Sequence, residues 1–404
     1  MEITEFETSK QTMTAQKKGA PETLPESASL LLDFVRLTAA LLVVIAHFTH
    51  PEFGLGYWNR QYLGDIAVPV FFVLSGFVIR YVTRTRESTA REYFIDRASR
   101  IYSVVLPAMV FTLAVSGVCF LIDRHLFLRD WADTFNHPIV RIVANLTFVS
   151  QAWGRNTIPF INSPFWSLGY ECIYYLAYGF LFFFRGWKRI LGCAILLVGI
   201  GPQVLFLFPV WWVGCWMYEL YQRWRGGRLA AGLQVVAGGW LVVGGALYLL
   251  GQRFLLRAPL VLFHKIADLP NPLVLMGLAG LRANMFAVAV GVFSSAALLV
   301  LLLAMDHIEI SRSSRWARWF RSLANGTFTI YLMHYPFLVL LLFLGLLRPY
   351  HDLFNVLVTA GMCAVLIAIA VPVDAFKLVI RRWLRTLGSE RMRMDEAAQR
   401  MRMR

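Results

Sequence analysis

Apolar runs of about twenty residues recur along this chain, and their recurrence leaves few folds open to it. Leu30 to Phe48, Leu229 to Leu250 and Met285 to Met305 each reach the length a helix needs to cross a hydrocarbon core about 30 Å thick. One such run fits a signal segment or a buried core helix, but this many fit only a bilayer. With 58% hydrophobic and 16% charged residues, the chain is richer in apolar side chains than a water-soluble core of this size requires. Backbone polar groups have no water to bond inside a membrane, so the spans must be helices that satisfy themselves. The expected fold class is therefore all-α, a polytopic transmembrane helix bundle.

Candidate spans run over 29–50, 62–82, 101–122, 165–184, 190–208, 209–222, 229–250, 284–304, 324–347 and 353–376, about ten in all. Residues 139–153 form a shorter apolar run broken by Arg141, Asn145, Ser150 and Gln151. If that run does not cross, 28 of the 39 lysines and arginines fall on the amino-terminal side of the membrane and ten on the other, with Arg36 inside a span. A crossing there would send the basic turns at Arg185–Arg189 and Arg223–Arg228 outside, against the positive-inside rule. Both termini are thus expected in the cytoplasm. Residues 1–28, polar and of mixed charge, read as a disordered cytoplasmic tail with no cleavable signal, 29–380 as the membrane domain, and 381–404 as a basic cytoplasmic tail. The segment 123–164 becomes a long outer loop with an interfacial or re-entrant helix, either a receiving site for a water-borne acceptor or a lid. The net charge of +15 is spread through short loops, which argues against nucleic acid as a partner. The five cysteines lie in apolar segments without metal-like spacing, so no metal is expected.

Asp33, Arg36 and His47 sit inside the first span, where an ionisable group costs at least about 2.5 kcal/mol by insertion scales. Eleven residues separate Arg36 from His47, which returns to within about 20° of one helical face, roughly 16 Å further along the axis. Glu171 lies about 9 Å below the outer boundary in the fourth span, a depth that allows a carboxylate to orient His47 as a base. The alternatives are an interfacial histidine and an interhelical hydrogen bond. Tyr331 and His334 share a face of the ninth span, where a helix–helix hydrogen bond is the simpler role for His334. Arg97 and Arg100, one turn apart at a cytoplasmic helix entrance, suit forked contacts with phosphate oxygens.

These residues fall in an order that resembles the acyltransferase family 3 membrane proteins, which O-acylate cell-surface polysaccharides and other carbohydrates. Leu32-Asp33-Phe34-Val35-Arg36 through Ala46-His47 is similar to that family's arginine, ten residues, histidine pattern. Phe71 to Phe77, which contains Ser75, resembles the second-helix signature, and Arg97-Ala98-Ser99-Arg100 the R-x-x-R entry. Trp166-Ser167-Leu168 with Glu171 and Tyr174-Tyr175, and Ile330 to His334, resemble two later elements. The chain departs where Leu37-Thr38 replace a frequent glycine and where proline comes late, at Pro107.

The resemblance implies an acyl-CoA co-substrate, most simply acetyl-CoA, with no bound cofactor, and a carbohydrate or lipid-linked glycan as acceptor. His47, assisted by Glu171, would take the acceptor proton, and Arg36 would stabilise donor phosphate, pantetheine amide or oxyanion. Arg97 and Arg100 would hold the nucleotide end, with Asp33, Ser75, Trp166, Tyr331 and His334 as further donor- or substrate-binding residues. By depth, Arg97 and Arg100 inside, Arg36 and His334 deeper, then His47 and Glu171 together on the outer side would trace a line across the bilayer. A bacterial inner membrane, with lipid as solvent, follows as the expected location. Intramembrane charges also mark transporters and flippases of lipid-linked sugars, the competing class. H-E-x-x-H, P-loop, G-x-G-x-x-G and G-x-S-x-G motifs are absent, which argues against zinc protease, nucleotide hydrolase and serine hydrolase mechanisms.

Overall fold

The computed structural model describes residues 23–50, 53, 60, 62–87, 89–225, 272–311, 314–348 and 352–402, and the expected span at 229–250 lies outside them. Among the described residues every regular element is helical: α1 (Glu26–Phe48), α2 (Tyr62–Thr85), α3 (Ala90–Ile122), α4 (Arg124–Trp131), α5 (Pro138–Leu146), α6 (Phe165–Phe183), α7 (Gly186–Ile200), α8 (Pro202–Phe206), α9 (Phe208–Trp224), α10 (Pro272–Met305), α11 (Arg315–Asn325), α12 (Thr327–Phe343) and α13 (Asp352–Arg402). Six described helices are long and apolar enough to cross a membrane, or seven if α11 and α12, bent by 46°, form one span. The chain is thus an all-α, multi-pass membrane protein.

Two expected spans take a different form. Gly201, at φ +84°, breaks the run 190–208, and Pro202 starts the short α8, so α7 holds only 15 residues. In α6, 19 residues long, four tyrosines and Glu171 dilute the apolar character. The run at 139–153 yields α5, whose nine residues rise about 14 Å, half of what a crossing needs. Ile139, Val140 and Val143 point outward from α5, while Asn145 is buried and donates to the Arg141 and Thr157 carbonyls. An outward apolar face on a short helix belongs at the membrane interface.

Helix α2 packs against α1, α9 and α10, while α12 lies among α1, α3 and α13. Its contact with α9 is the most extensive, and glycine is the reason. A Cβ on Gly76 would sit 2.0 Å from the Trp211 carbonyl oxygen, and one on Gly214 would sit 2.0 Å from that of Val73. The two backbones approach as closely as small residues allow. Beyond the end of α2, Thr89 caps α3 by accepting from the Glu92 amide at 3.2 Å, and its hydroxyl also reaches the Glu92 carboxylate, an N-cap that sets where Arg97 and Arg100 fall.

Ion pairs collect at the end of the bundle where α2 stops and α3 begins. Arg80 and Arg84 meet Glu219, Arg321 meets Glu26, and Arg381 meets Asp96. Arginines that a sequence count treats only as orientation charges therefore also tie helices together.

Candidate functional site

A cavity of about 220 Å³ opens between α1, α2, α3, α6 and α12. Three cations from three helices face it: Arg36 on α1, Arg100 on α3 and Lys377 on α13. Glu171 and Tyr175 of α6 lie opposite, and Phe71, Phe72 and Tyr331 give it aromatic walls. A smaller cavity of about 80 Å³ shares Arg36, Arg100, Glu171 and Tyr175 and adds Asp33, Ser75 and Arg97.

Each charged group has a structural reason for its place. Asp33 and Arg36 are one turn apart on α1 and pair at 2.9 Å, and the same Nη2 donates to the Ala324 carbonyl at 3.2 Å. A guanidinium deep in the bundle thus carries its own counter-ion. Arg100 lines both cavities and its side chain makes no hydrogen bond or ion pair among the described residues, so its donors are available to a ligand. Glu171 is held rigidly: Ser75 Oγ donates to its Oε1 at 2.6 Å, and the Tyr175 hydroxyl donates to the same oxygen. The Trp211 indole N–H donates to Ser75 Oγ at 3.1 Å. That last contact exists because Gly76 and Gly214 bring α9 against α2.

The sequence-nominated residues divide into two groups. Asp33, Arg36, Ser75, Arg97, Arg100, Glu171 and Tyr331 line one or both cavities. His47 and His334 line neither. Their rings lie 5.3 Å apart, and the His47 ring also meets Tyr335 edge-on at 5.0 Å. Tyr331 links the groups, since it lines the larger cavity, shares a 2.6 Å hydroxyl hydrogen bond with Ser167 and sits 6.3 Å from the His334 ring. Trp166 packs edge-on against Tyr170 at 5.4 Å, away from both cavities.

Two expectations are corrected by this geometry. Glu171 does not pair with His47 but with Ser75 and Tyr175, on the arginine side of the bundle. The physical reason is the segment before α6: Phe160, Ile161 and Asn162 are fully buried, and Asn162 donates to Thr112 Oγ1 at 2.9 Å and to the Leu332 carbonyl at 2.8 Å. That carbonyl has no intrahelical donor because Pro336, four residues on, lacks an N–H. The chain is therefore packed into the bundle before α6 starts, and Glu171, two to three turns on, meets Ser75 and Tyr175. The expected line across the bilayer changes accordingly, with Glu171 beside the arginines and the histidines as a separate pair.

The second correction concerns Arg97. Its guanidinium pairs with Glu87 at 2.5 Å, with side chains 10% and 2% exposed, and lies over the Tyr93 ring. Burial raises the Glu87 carboxyl above the usual carboxylate range, and Arg97 draws it back down. Arg97 and Arg100 share a turn of helix yet do different work: Arg97 holds Glu87 at the edge of the smaller cavity, and Arg100 lines both cavities. Lys377 and Trp211 were missed by motif reading, because nothing near them in the chain marks them. Proximity to the site is their only signal.

Comparisons with known proteins give the chain's relatives. The acyltransferase MdmB of Streptomyces mycarofaciens is 30% identical over 155 residues, 36% of this chain and 37% of that protein. The exopolysaccharide production protein ExoZ of Rhizobium meliloti (strain 1021) is 30% identical over 148 residues, 36% of this chain and 43% of that protein. The matches span about two fifths of the length of these curated relatives. No solved structure matches significantly. A family model described as an acyltransferase domain matches residues 30–375, which takes in most of α1 through roughly the first half of α13 and every residue of the cavity and of the histidine pair except Lys377, and the chain belongs to that acyltransferase family.

Proposed function

We propose that this protein is a membrane O-acyltransferase that moves an acyl group, most simply acetyl, from acyl-CoA to a hydroxyl of a cell-surface or exported carbohydrate, in a bacterial inner membrane. The observation that carries the reading is the cavity into which Arg36, Arg100 and Lys377 converge from three helices beside an anchored Glu171. Converging cations suit a donor rich in phosphate, and Arg100 has donors to spare. At about 220 Å³ the cavity is too small for a nucleotide and its arm together. It suits the thin pantetheine arm, with the nucleotide at the cytoplasmic mouth. The name of the relative ExoZ, an exopolysaccharide production protein, supports a glycan as acceptor.

In this reading His47 is the general base. It takes the acceptor proton as the hydroxyl oxygen bonds to the thioester carbon, an assistance worth about 100- to 10,000-fold in rate. Arg36, already fixed by Asp33 and the Ala324 carbonyl, stabilises charge that develops on the thioester oxygen or on the pantetheine amide. Both termini in the cytoplasm and the segment 123–164 outside give donor and acceptor opposite entrances. Mass spectrometry of the host's surface glycans, with and without the gene, tests the proposal. Loss of an ester-linked acyl group on deletion supports it, and identical glycans in both strains sink it.

A further inference from the structure

His334 has a feature that packing alone does not explain. Its side chain is fully buried on α12, and its Nδ1 lies 3.1 Å from the Ile330 carbonyl oxygen and 2.9 Å from that of Tyr331. Carbonyl oxygens only accept, so Nδ1 carries the hydrogen and the neutral ring is left with a bare lone pair on Nε2. That atom is buried and has no hydrogen-bond partner among the described residues. A buried acceptor without a donor is costly, and native structures keep such atoms for a reason.

The neighbouring group that can supply the donor is His47. An N–H···N bond between two imidazoles sets the ring centres about 5 Å apart, and these lie at 5.3 Å. The rings are tilted by 40°, so rotation of the His47 ring completes the bond without moving either helix. His47 is only half-buried, which leaves part of its ring open to a substrate.

We propose that His334 is a positioning residue for His47. Its Nε2 accepts the hydrogen of one His47 nitrogen and thereby fixes the other nitrogen as the bare base that meets the acceptor hydroxyl. This rests on the reading of His47 as the base. During transfer His47 takes the hydroxyl proton as the oxygen–carbon bond forms. The carbon–sulfur bond breaks with its electron pair on sulfur, and the imidazolium returns the proton to the thiolate. His334 stays neutral throughout, which spares the bundle interior a buried carboxylate beside the base. The task expected of Glu171 is thus done by a second histidine.

Two substitutions separate this role from a structural one. His334→Asn keeps an N–H donor where Nδ1 stands and so retains the bond to the main chain, but it lacks Nε2. His334→Gln places an acceptor where Nε2 stands. The expected result is a fall in kcat of roughly 10- to 100-fold for His334→Asn with donor KM unchanged, and partial recovery in His334→Gln. A second readout needs no turnover: nitrogen NMR of histidine-labelled protein should show His334 hydrogenated at Nδ1 and His47 in one tautomer, mixed in His334→Asn. Wild-type kcat in His334→Asn with the His47 tautomer unchanged overturns the proposal, as does wild-type His334 hydrogenated at Nε2. A His47 tautomer that responds to His334→Asn, together with full transfer by His47→Gln, upholds the coupling and instead removes His47 from the base's role.

Discussion

Substituting Arg97 and Arg100 one at a time should give opposite results, although they stand one turn apart on α3. Arg97→Ala leaves Glu87 buried, its side chain 2% exposed, with only the Thr83 hydroxyl at 3.4 Å for compensation among the described residues. Breaking a buried pair by removing one member costs about 3–5 kcal/mol, mostly the uncompensated charge left behind. The protein should therefore unfold at a lower temperature in detergent, and Glu87→Gln in the same chain should restore much of the loss by removing that charge. Arg100→Ala leaves no partner behind among the described residues, so its melting should be near wild type. Its cost should fall on the donor: a charge-assisted hydrogen bond worth about 1.5–3 kcal/mol corresponds to a rise in acyl-CoA KM of roughly 10- to 150-fold. Thermal unfolding and donor kinetics on the same purified samples make the comparison. A large KM effect for Arg97→Ala with unchanged stability, alongside normal donor kinetics for Arg100→Ala, refutes this division of labour.

Three further outcomes follow from the packing and the site. Gly76→Ala or Gly214→Ala must part α2 and α9, since the new methyl would start 2.0 Å from a carbonyl oxygen, and either should destabilise the fold by about 1–3 kcal/mol and disturb the Trp211–Ser75–Glu171 chain; wild-type melting and activity would contradict the close approach. His47→Gln and Glu171→Gln should each depress acyl transfer, His47→Gln by about 100-fold or more, and their effects should multiply in the double variant because the two residues share no partner among the described contacts; a double variant no worse than His47→Gln would restore a direct pairing. Reporters fused after Arg91 or Arg321 should stay cytoplasmic and one near His125 should be exported, with reporters at 125 and 185 on the same side sinking the assigned topology.

Periodicity exposes what a single helix decides and hides what two helices decide together. Spacing alone places Arg36 and His47 on one face of α1, and R-x-x-R places Arg97 and Arg100 one turn apart at a helix entrance. It does not say that Arg97 turns to Glu87, ten residues earlier, because that choice depends on the buried turn between α2 and α3. The partners of Glu171 are hidden for a related reason. A count from the loop assumes that α6 begins at the membrane boundary, whereas Asn162, tied to the carbonyl that Pro336 leaves free, draws the loop inward. Trp211 and Lys377 reach the site from distant helices. The lone pair on His334 Nε2 depends on which carbonyls Nδ1 meets, and only coordinates record that.

The central claim is acyl transfer from a thioester to a glycan, and reconstitution tests it most directly. Purified protein in nanodiscs, supplied with acyl-CoA labelled in the acyl group and a carbohydrate acceptor, should form an alkali-labile glycan ester and release free coenzyme A in equal amounts. His47→Gln should reduce both by about 100-fold or more while still binding the donor. No labelled ester from the wild-type protein, or full ester formation by His47→Gln, would contradict the chemistry assigned to these helices.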